Sequence, residues 1–185
     1  MENMKLYLIG MPGAGKTTLG QALAAHYALP FFDLDAEIVA RAGQVIPAIF
    51  LAHGEAHFRR LEAEVLREIA AHPGALVLAT GGGTPCFHDN LPVLHATGLV
   101  LWLDVPAPVL AARLAAAAEQ ASRPLLATSG PTKKWLDETL AARTRFYSQA
   151  GVRCTPATEP VPAVAARLAA AGFIPRPPAQ FAPGA

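Results

Sequence analysis

Gly10-Met11-Pro12-Gly13-Ala14-Gly15-Lys16-Thr17 follows the apolar run Leu6 to Ile9 directly, and this strand, glycine turn and Lys-Thr helix start decide the architecture. The stretch is a complete G-x-x-x-x-G-K-[ST] match in the strand-to-helix setting that gives the pattern its meaning. Gly13 and Gly15 let the backbone turn its N–H groups inward around phosphate oxygens, where a side chain would block the approach. A helix beginning at about Lys16 adds the positive end of its dipole. The expected ligand is therefore a nucleoside triphosphate held by Gly13, Ala14, Gly15, Lys16, Thr17 and Thr18. Lys16 reaches the β and γ phosphates, and the Thr17 hydroxyl is placed to hold Mg²⁺.

Outward from this loop, the chain alternates strands with helices. Strands are predicted at Lys5–Ile9, Phe31–Asp33, Ala75–Ala79, Leu99–Asp104 and Val152–Cys154, the third and fourth apolar enough for burial on both faces. Leu19 and Leu23 mark one helix, and Leu61, Val65 and Ile69 mark another at i, i+4 spacing. Further helices are expected over Val109–Ala118, Lys134–Ala150 and Val161–Ala171. Such alternation builds a parallel sheet covered on both sides, with ligands at the carboxyl ends of its strands. Ala121 to Lys133, with Ser, Gly, Pro and basic residues between two helical patterns, reads as a long loop that closes over a site. The proline-rich end is expected to form a mobile tail over 173–185, which leaves one domain over 1–172 with its lid at about 119–133.

Composition narrows the partners. A chain of 185 residues is long enough to bury a sizeable core. A formal net charge of +1 shows no basic excess of the kind that marks a nucleic-acid binder, so small molecules are favoured. Cys86 and Cys154 fit neither a metal knuckle nor a disulfide framework. The first strand begins near Met4, leaving no room for a targeting peptide, and no apolar run approaches a membrane span. A soluble, cytoplasmic monomer is expected.

A second constellation bears on the phosphate acceptor. Phe32-Asp33-Leu34-Asp35 ends the second strand and brings two carboxylates near the phosphate loop. Asp33 is placed to serve the Mg²⁺ shell, and Asp35 to accept hydrogen bonds from substrate hydroxyls or to draw off a proton. Either could instead cap the helix that starts near Ala36. Arg59, in Phe58-Arg59-Arg60, is either a surface arginine or half of a carboxylate clamp. Thr80-Gly81-Gly82-Gly83 follows the third strand, and three glycines there suit a ligand lying against bare backbone N–H groups. Arg123-Pro124-Leu125-Leu126 lies in the lid, and Arg143 precedes Tyr147 by one helical turn.

The order and spacing of these pieces resemble shikimate kinase, a family of small kinases related to the nucleoside monophosphate kinases, over about Lys5 to Gly172. The resemblance implies an α/β P-loop kinase fold with a five-stranded parallel sheet in the order 2-3-1-4-5. It also implies ATP as co-substrate and transfer of the γ-phosphate to the 3-hydroxyl of shikimate. By motif, Asp35, Arg59, Gly81, Gly82, Gly83 and Arg143 fall on the shikimate-binding positions. Lys16, Asp35 and Arg123 take the catalytic ones, Arg123 being the lid arginine that reaches the transferring phosphoryl group. Thr17 and Asp33 form the metal site. Phe50, Phe58 and Pro124 supply apolar walls, and Glu62 orients the Arg59 guanidinium.

The chain departs from the family in two places. Arg145 stands where members often have proline, which leaves two arginines near the carboxylate position. Several members carry an adenine-stacking arginine about seven residues before the Arg-Pro-Leu-Leu run, and that place is Ala116 here. Weak base discrimination is the expectation, with Arg113 and Arg153 the first residues to test should another group read the base. His53-Gly54-Glu55-Ala56-His57 is similar to a zinc-protease helix, but Glu55 is one place off and Gly54 weakens the helix, so no such site is read from it. Asp104, closing an apolar strand, is a reserve metal candidate. A kinase for another hydroxy acid such as gluconate, or a non-catalytic nucleotide-binding module, are the rival readings. The Asn-Lys-x-Asp run of a GTPase is missing.

Overall fold

The structure, a computed structural model, describes residues 4–120, 133–155 and 159–175. Its centre is β1 (Lys5–Ile9), every residue of which is buried. A strand buried on both faces belongs inside a parallel sheet with helices above and below. β1 accordingly pairs in parallel with β3 (Val77–Ala79) and with β4 (Gly98–Leu103). β2 (Phe31–Asp33) adds to β3, and β5 (Val152–Cys154) adds to β4. The order β2-β3-β1-β4-β5 is the one expected. β3 is two residues shorter at its start than the apolar run Ala75–Ala79, and β4 begins and ends one residue earlier.

Helix starts follow strand ends closely, and this concentrates chemistry at one edge of the sheet. α1 (Lys16–Tyr27) rises from the glycine loop after β1. α2 (Leu34–Ala42) starts without any loop after β2, because the last strand residue, Asp33, is also its N-cap and accepts from the backbone N–H groups of Asp35 and Ala36. α3 (Ile46–Ala70) is two helical pieces joined at a kink, where Gly54 has φ 77° and ψ 172°. No L-residue with a side chain takes that conformation readily.

After β3, the glycine turn leads into a 3₁₀ turn (Thr84–Cys86) and α4 (Asn90–Thr97), a short helix not expected from the sequence because Pro92 interrupts its pattern. α5 (Ala107–Gln120), α6 (Lys133–Tyr147) and α7 (Val161–Ala170) complete the cover.

The packed chain continues past α7. Phe173, expected at the start of the tail, is buried, and its ring meets Tyr27 edge-on at 5.2 Å, whereas Ile174 is exposed. The rest of the tail from residue 176, and most of the expected lid with Arg123 and Pro124, lie outside the described residues. Among the described residues no helix is long and apolar enough to cross a membrane.

Candidate active site

The carboxyl ends of β1, β2, β3 and β5 open onto one cavity of about 800 Å³. Its wall includes the phosphate loop, Thr18, Asp33, Asp35, Gly81 and Gly82, and extends to Arg113, Glu159 and Pro160. Because β2 and β5 are opposite edges of the sheet, the cavity crosses the sheet edge, with the two aspartates on one side of the loop and Glu159 on the other.

In the loop, Gly15 has φ 94° and caps α1 without any side-chain bond, which leaves the first N–H groups of that helix facing the cavity. Lys16 folds back over the loop and its Nζ donates to the carbonyls of Gly10 at 2.9 Å and Met11 at 3.0 Å. Enclosure by the loop lowers the Lys16 ammonium from the ordinary lysine value to about 8. The negative charges of Asp35 and Asp33 pull the other way, and Arg143 adds to the lowering.

Asp33 caps α2 and also reaches the phosphate loop. Its Oδ1 accepts from the Asp35 and Ala36 N–H groups at 3.1 and 3.4 Å, while Oδ2 accepts from Thr17 Oγ1 at 2.8 Å. A hydroxyl and a carboxylate side by side at the loop are hard oxygen donors of the kind Mg²⁺ takes. Asp35 does no capping and opens into the cavity. Its carboxyl lies above the usual range, first through loss of hydration and then through the charges of Asp33 and Glu62, with Lys16 and Arg59 opposing.

The acceptor side converges on the three glycines after β3. A Cβ built on Gly81 would stand 3.1 Å from Glu62 Oε1 and 3.2 Å from Asp35 Oδ1. One on Gly82 would be 2.7 Å from Pro12 Cδ and 3.2 Å from Arg143 Nη1, and one on Gly83 would lie 2.8–3.1 Å from the Arg59 guanidinium. Three bare residues therefore let two arginines, two carboxylates and the phosphate loop approach one turn.

Arg59 is not a free surface side chain. Its Nη1 donates to Glu62 Oε2 at 3.0 Å, its Nε and Nη2 donate to Glu55 Oε1 at 3.2 and 3.1 Å, and its guanidinium lies 4.3 Å above the Phe87 ring. Glu62 is fully buried and also accepts from Thr84 Oγ1 at 2.7 Å, so it ties Arg59 to the turn as well as orienting it. Phe50 and Phe58 pack ring to ring at 4.6 Å beside this group.

The two arginines of α6 are placed differently. Arg143 stands against Gly82, while Arg145 is exposed and lies over the Phe146 ring at 4.8 Å. Further residues support the loop and the turn. Arg113 Nη1 donates to the carbonyls of Gly13 and Ala14 at 3.2 and 3.3 Å, whereas Ala116 is exposed and off the cavity wall. The fully buried Asn90 donates to the Thr84 carbonyl at 2.9 Å and accepts from Arg67 Nη1 at 3.2 Å, bracing the turn from behind. Helical register, three residues before Ala116, was the available hint for Arg113. None existed for Asn90. Asp104 is engaged by Arg153 and does not line the cavity.

With this geometry in place, the family model of shikimate kinase matches residues 12–171. The chain belongs to the shikimate kinase family. A shikimate kinase of Nostoc sp. is 44% identical over 160 residues, which is 86% of this chain and 85% of the relative. The shikimate kinase structure from Bacteroides thetaiotaomicron superposes with a TM-score of 0.79 at 35% identity, covering 92% of this chain and 99% of that one. The structure from Acinetobacter baumannii, a shikimate kinase in complex with shikimate, gives 0.77 at 33% identity over 90% and 91%.

Proposed function

We infer that this protein transfers the γ-phosphoryl group of ATP to the 3-hydroxyl of shikimate. The observation that carries the reading beyond family membership is the convergence of Asp35, Arg59 and Arg143 on Gly81–Gly83, beside a phosphate loop with Lys16 in place. A ring carrying one carboxylate and several hydroxyls matches such a wall: the guanidiniums take the carboxylate and the aspartate takes a hydroxyl.

In this reading the triphosphate lies along the loop and the N-terminus of α1. Lys16 leaves the Gly10 and Met11 carbonyls to meet the phosphates. The Thr17 hydroxyl and Asp33 would hold Mg²⁺, whose charge, when bound, offsets that of the phosphates. Asp35 orients the acceptor hydroxyl and takes its proton, a role its raised carboxyl suits. Arg123 is proposed to come over the transferring group from the lid, and Gly83 to keep room for Arg59. Catalysis is by positioning and charge rather than by a covalent intermediate. We further propose a monomer acting on small molecules in the cytoplasm, where its free thiols Cys86 and Cys154 stay reduced.

The test is ADP release coupled to an indicator reaction, with ATP, Mg²⁺ and shikimate, run beside gluconate and nucleoside monophosphates. Shikimate-dependent, divalent-metal-dependent release is the expected result. Equal turnover with gluconate, or none with shikimate, would overturn the reading.

A further inference from the structure

We propose that His53 and His57 form a two-imidazole site for a borderline divalent transition-metal ion, such as Zn²⁺, that bridges the kink of α3. The two residues sit on either side of Gly54, whose positive φ breaks the helix between them. Even so, their rings meet with centroids 4.7 Å apart and planes inclined by 40°. Two imidazoles bound to one ion at about 2.0–2.1 Å have ring centres about 4.5–5.2 Å apart for coordination angles of about 90–110°. The ring spacing falls within this range, and a change of side-chain rotamer suffices to turn a nitrogen of each ring toward one ion.

Neither imidazole is hydrogen-bonded to a described residue, and both line a cavity of about 240 Å³ together with Arg41, Gln44 and Ile49. That cavity gives an ion on the pair room for its remaining ligands. Arg41, the one cationic side chain of that wall outside the pair, is bound to Glu68, which offsets its charge. Among the described residues no group of three or more ligating side chains exists. Water therefore completes the coordination, and the ion is exchangeable. Imidazole nitrogen favours Zn²⁺, Ni²⁺ or Cu²⁺ over Mg²⁺, so the site does not compete for the ion expected at Thr17 and Asp33.

Its place in the fold gives the site a consequence. Glu55 and Arg59 follow the kink immediately, and Phe50 and Phe58 pack across it. An ion joining His53 to His57 fixes the angle between the two pieces of α3 and stiffens the segment that carries Arg59.

The full chain, free of nucleotide and shikimate, is titrated with ZnCl₂ in a non-chelating buffer by calorimetry, and its melting temperature is followed in parallel. One saturable site and a rise in melting temperature are expected. His53→Ala and His57→Ala should each weaken binding by about tenfold or more, and His95→Ala, in α4, should not. Excess MgCl₂ should not displace Zn²⁺. No saturable binding, or binding that survives the loss of either histidine, overturns the proposal. Because neither substrate is present, failure here is separate from failure of the kinase reading.

Discussion

Tyr147 Oη donates to the Gly82 carbonyl at 2.5 Å, pinning the C-terminal end of α6 to the glycine turn. Arg143 is one helical turn earlier on the same helix, stands against the same glycine and interacts with the Tyr147 hydroxyl, so Tyr147 helps set the distance between the guanidinium and the turn. Tyr147 is fully buried, and burial pushes its hydroxyl up to about 12, so it donates throughout the working pH range. Tyr147→Phe leaves a half-buried carbonyl short of its partner. A stability loss of about 1–3 kcal/mol is expected, with KM for shikimate raised and KM for ATP unchanged. Urea unfolding and steady-state kinetics check both halves. An altered ATP KM alone would show that α6 does not position Arg143 as described.

Arg59 and Glu62 behave as one unit. Glu62 is fully buried with Arg59 and Thr84 as its partners, so Arg59→Ala strands a carboxylate away from water. A loss of about 3–5 kcal/mol in stability is expected from breaking such a pair. Adding Glu62→Gln should recover part of it, because the amide carries no charge and still accepts from Thr84. Arg143→Ala strands no carboxylate, because its buried neighbour is the Tyr147 hydroxyl, which keeps the Gly82 carbonyl, so it should largely keep stability and weaken shikimate binding by about 2–5 kcal/mol. Recovery failing in the double variant would mean that the pair contributes little.

The phosphate loop was legible because its chemistry is contiguous: one strand, one turn and one helix start hold Gly13 to Thr18 whatever else the chain does. The sheet order was legible only through the resemblance, since alternation gives parallel strands but not which pairs. Asp33 shows how far local reading reaches. Its capping role follows from the strand-to-helix junction, but its bond to Thr17 needs β3 to lie between β1 and β2 so that two strand ends meet. The bracing of the turn by Asn90 and Arg67 was hidden, because a buried amide and an arginine 23 positions away have no shared period. Spacing along the chain selects Ala116, which is exposed, whereas the helical turn presents Arg113 to the loop.

Lys16 links nucleotide binding to pH. In the free protein its ammonium titrates at about 8 rather than the ordinary 10.5, and phosphates laid beside it favour the charged form. Below about 8 the proton is already there. Above about 8, binding the triphosphate must take one up, so affinity falls as pH rises beyond that value. Calorimetry in buffers of differing ionisation enthalpy should show proton uptake on ATP binding at about pH 9 and little at about pH 6.5. Equal uptake at both would remove Lys16 as the source.

The position of Arg113 predicts stronger base discrimination than Ala116 alone would give. It lines the cavity and holds the Gly13 and Ala14 carbonyls, and a guanidinium stacked on a purine is worth about 0.5–2 kcal/mol. Arg113→Ala should raise KM for ATP by up to roughly thirtyfold, leave KM for shikimate alone and narrow the ratio of kcat/KM between ATP and GTP. Ala116→Arg, pointing from an exposed position, should change neither. A ratio unmoved by Arg113→Ala would confine that residue to bracing the loop.

Gly82 and Gly83 are neighbours whose replacement should have different consequences. The backbone at Gly83 is ordinary helical, φ −91° and ψ −15°, so alanine there meets no torsional strain and only its Cβ matters. That Cβ would lie within 2.8–3.1 Å of the Arg59 guanidinium, which cannot simply swing away because Glu55, Glu62 and the Phe87 ring hold it. Overpacking of this kind costs about 1–3 kcal/mol, or roughly 5- to 150-fold in an equilibrium constant. Gly83→Ala should therefore raise KM for shikimate within that range and spare ATP. At Gly82 the added carbon meets Pro12 of the phosphate loop at 2.7 Å as well as Arg143 at 3.2 Å, so Gly82→Ala should raise both KM values. The two variants, compared by initial rates with each substrate varied in turn, separate an acceptor wall from a shared wall. If Gly83→Ala weakened ATP as strongly as shikimate, Arg59 would belong to the nucleotide side of the cavity instead.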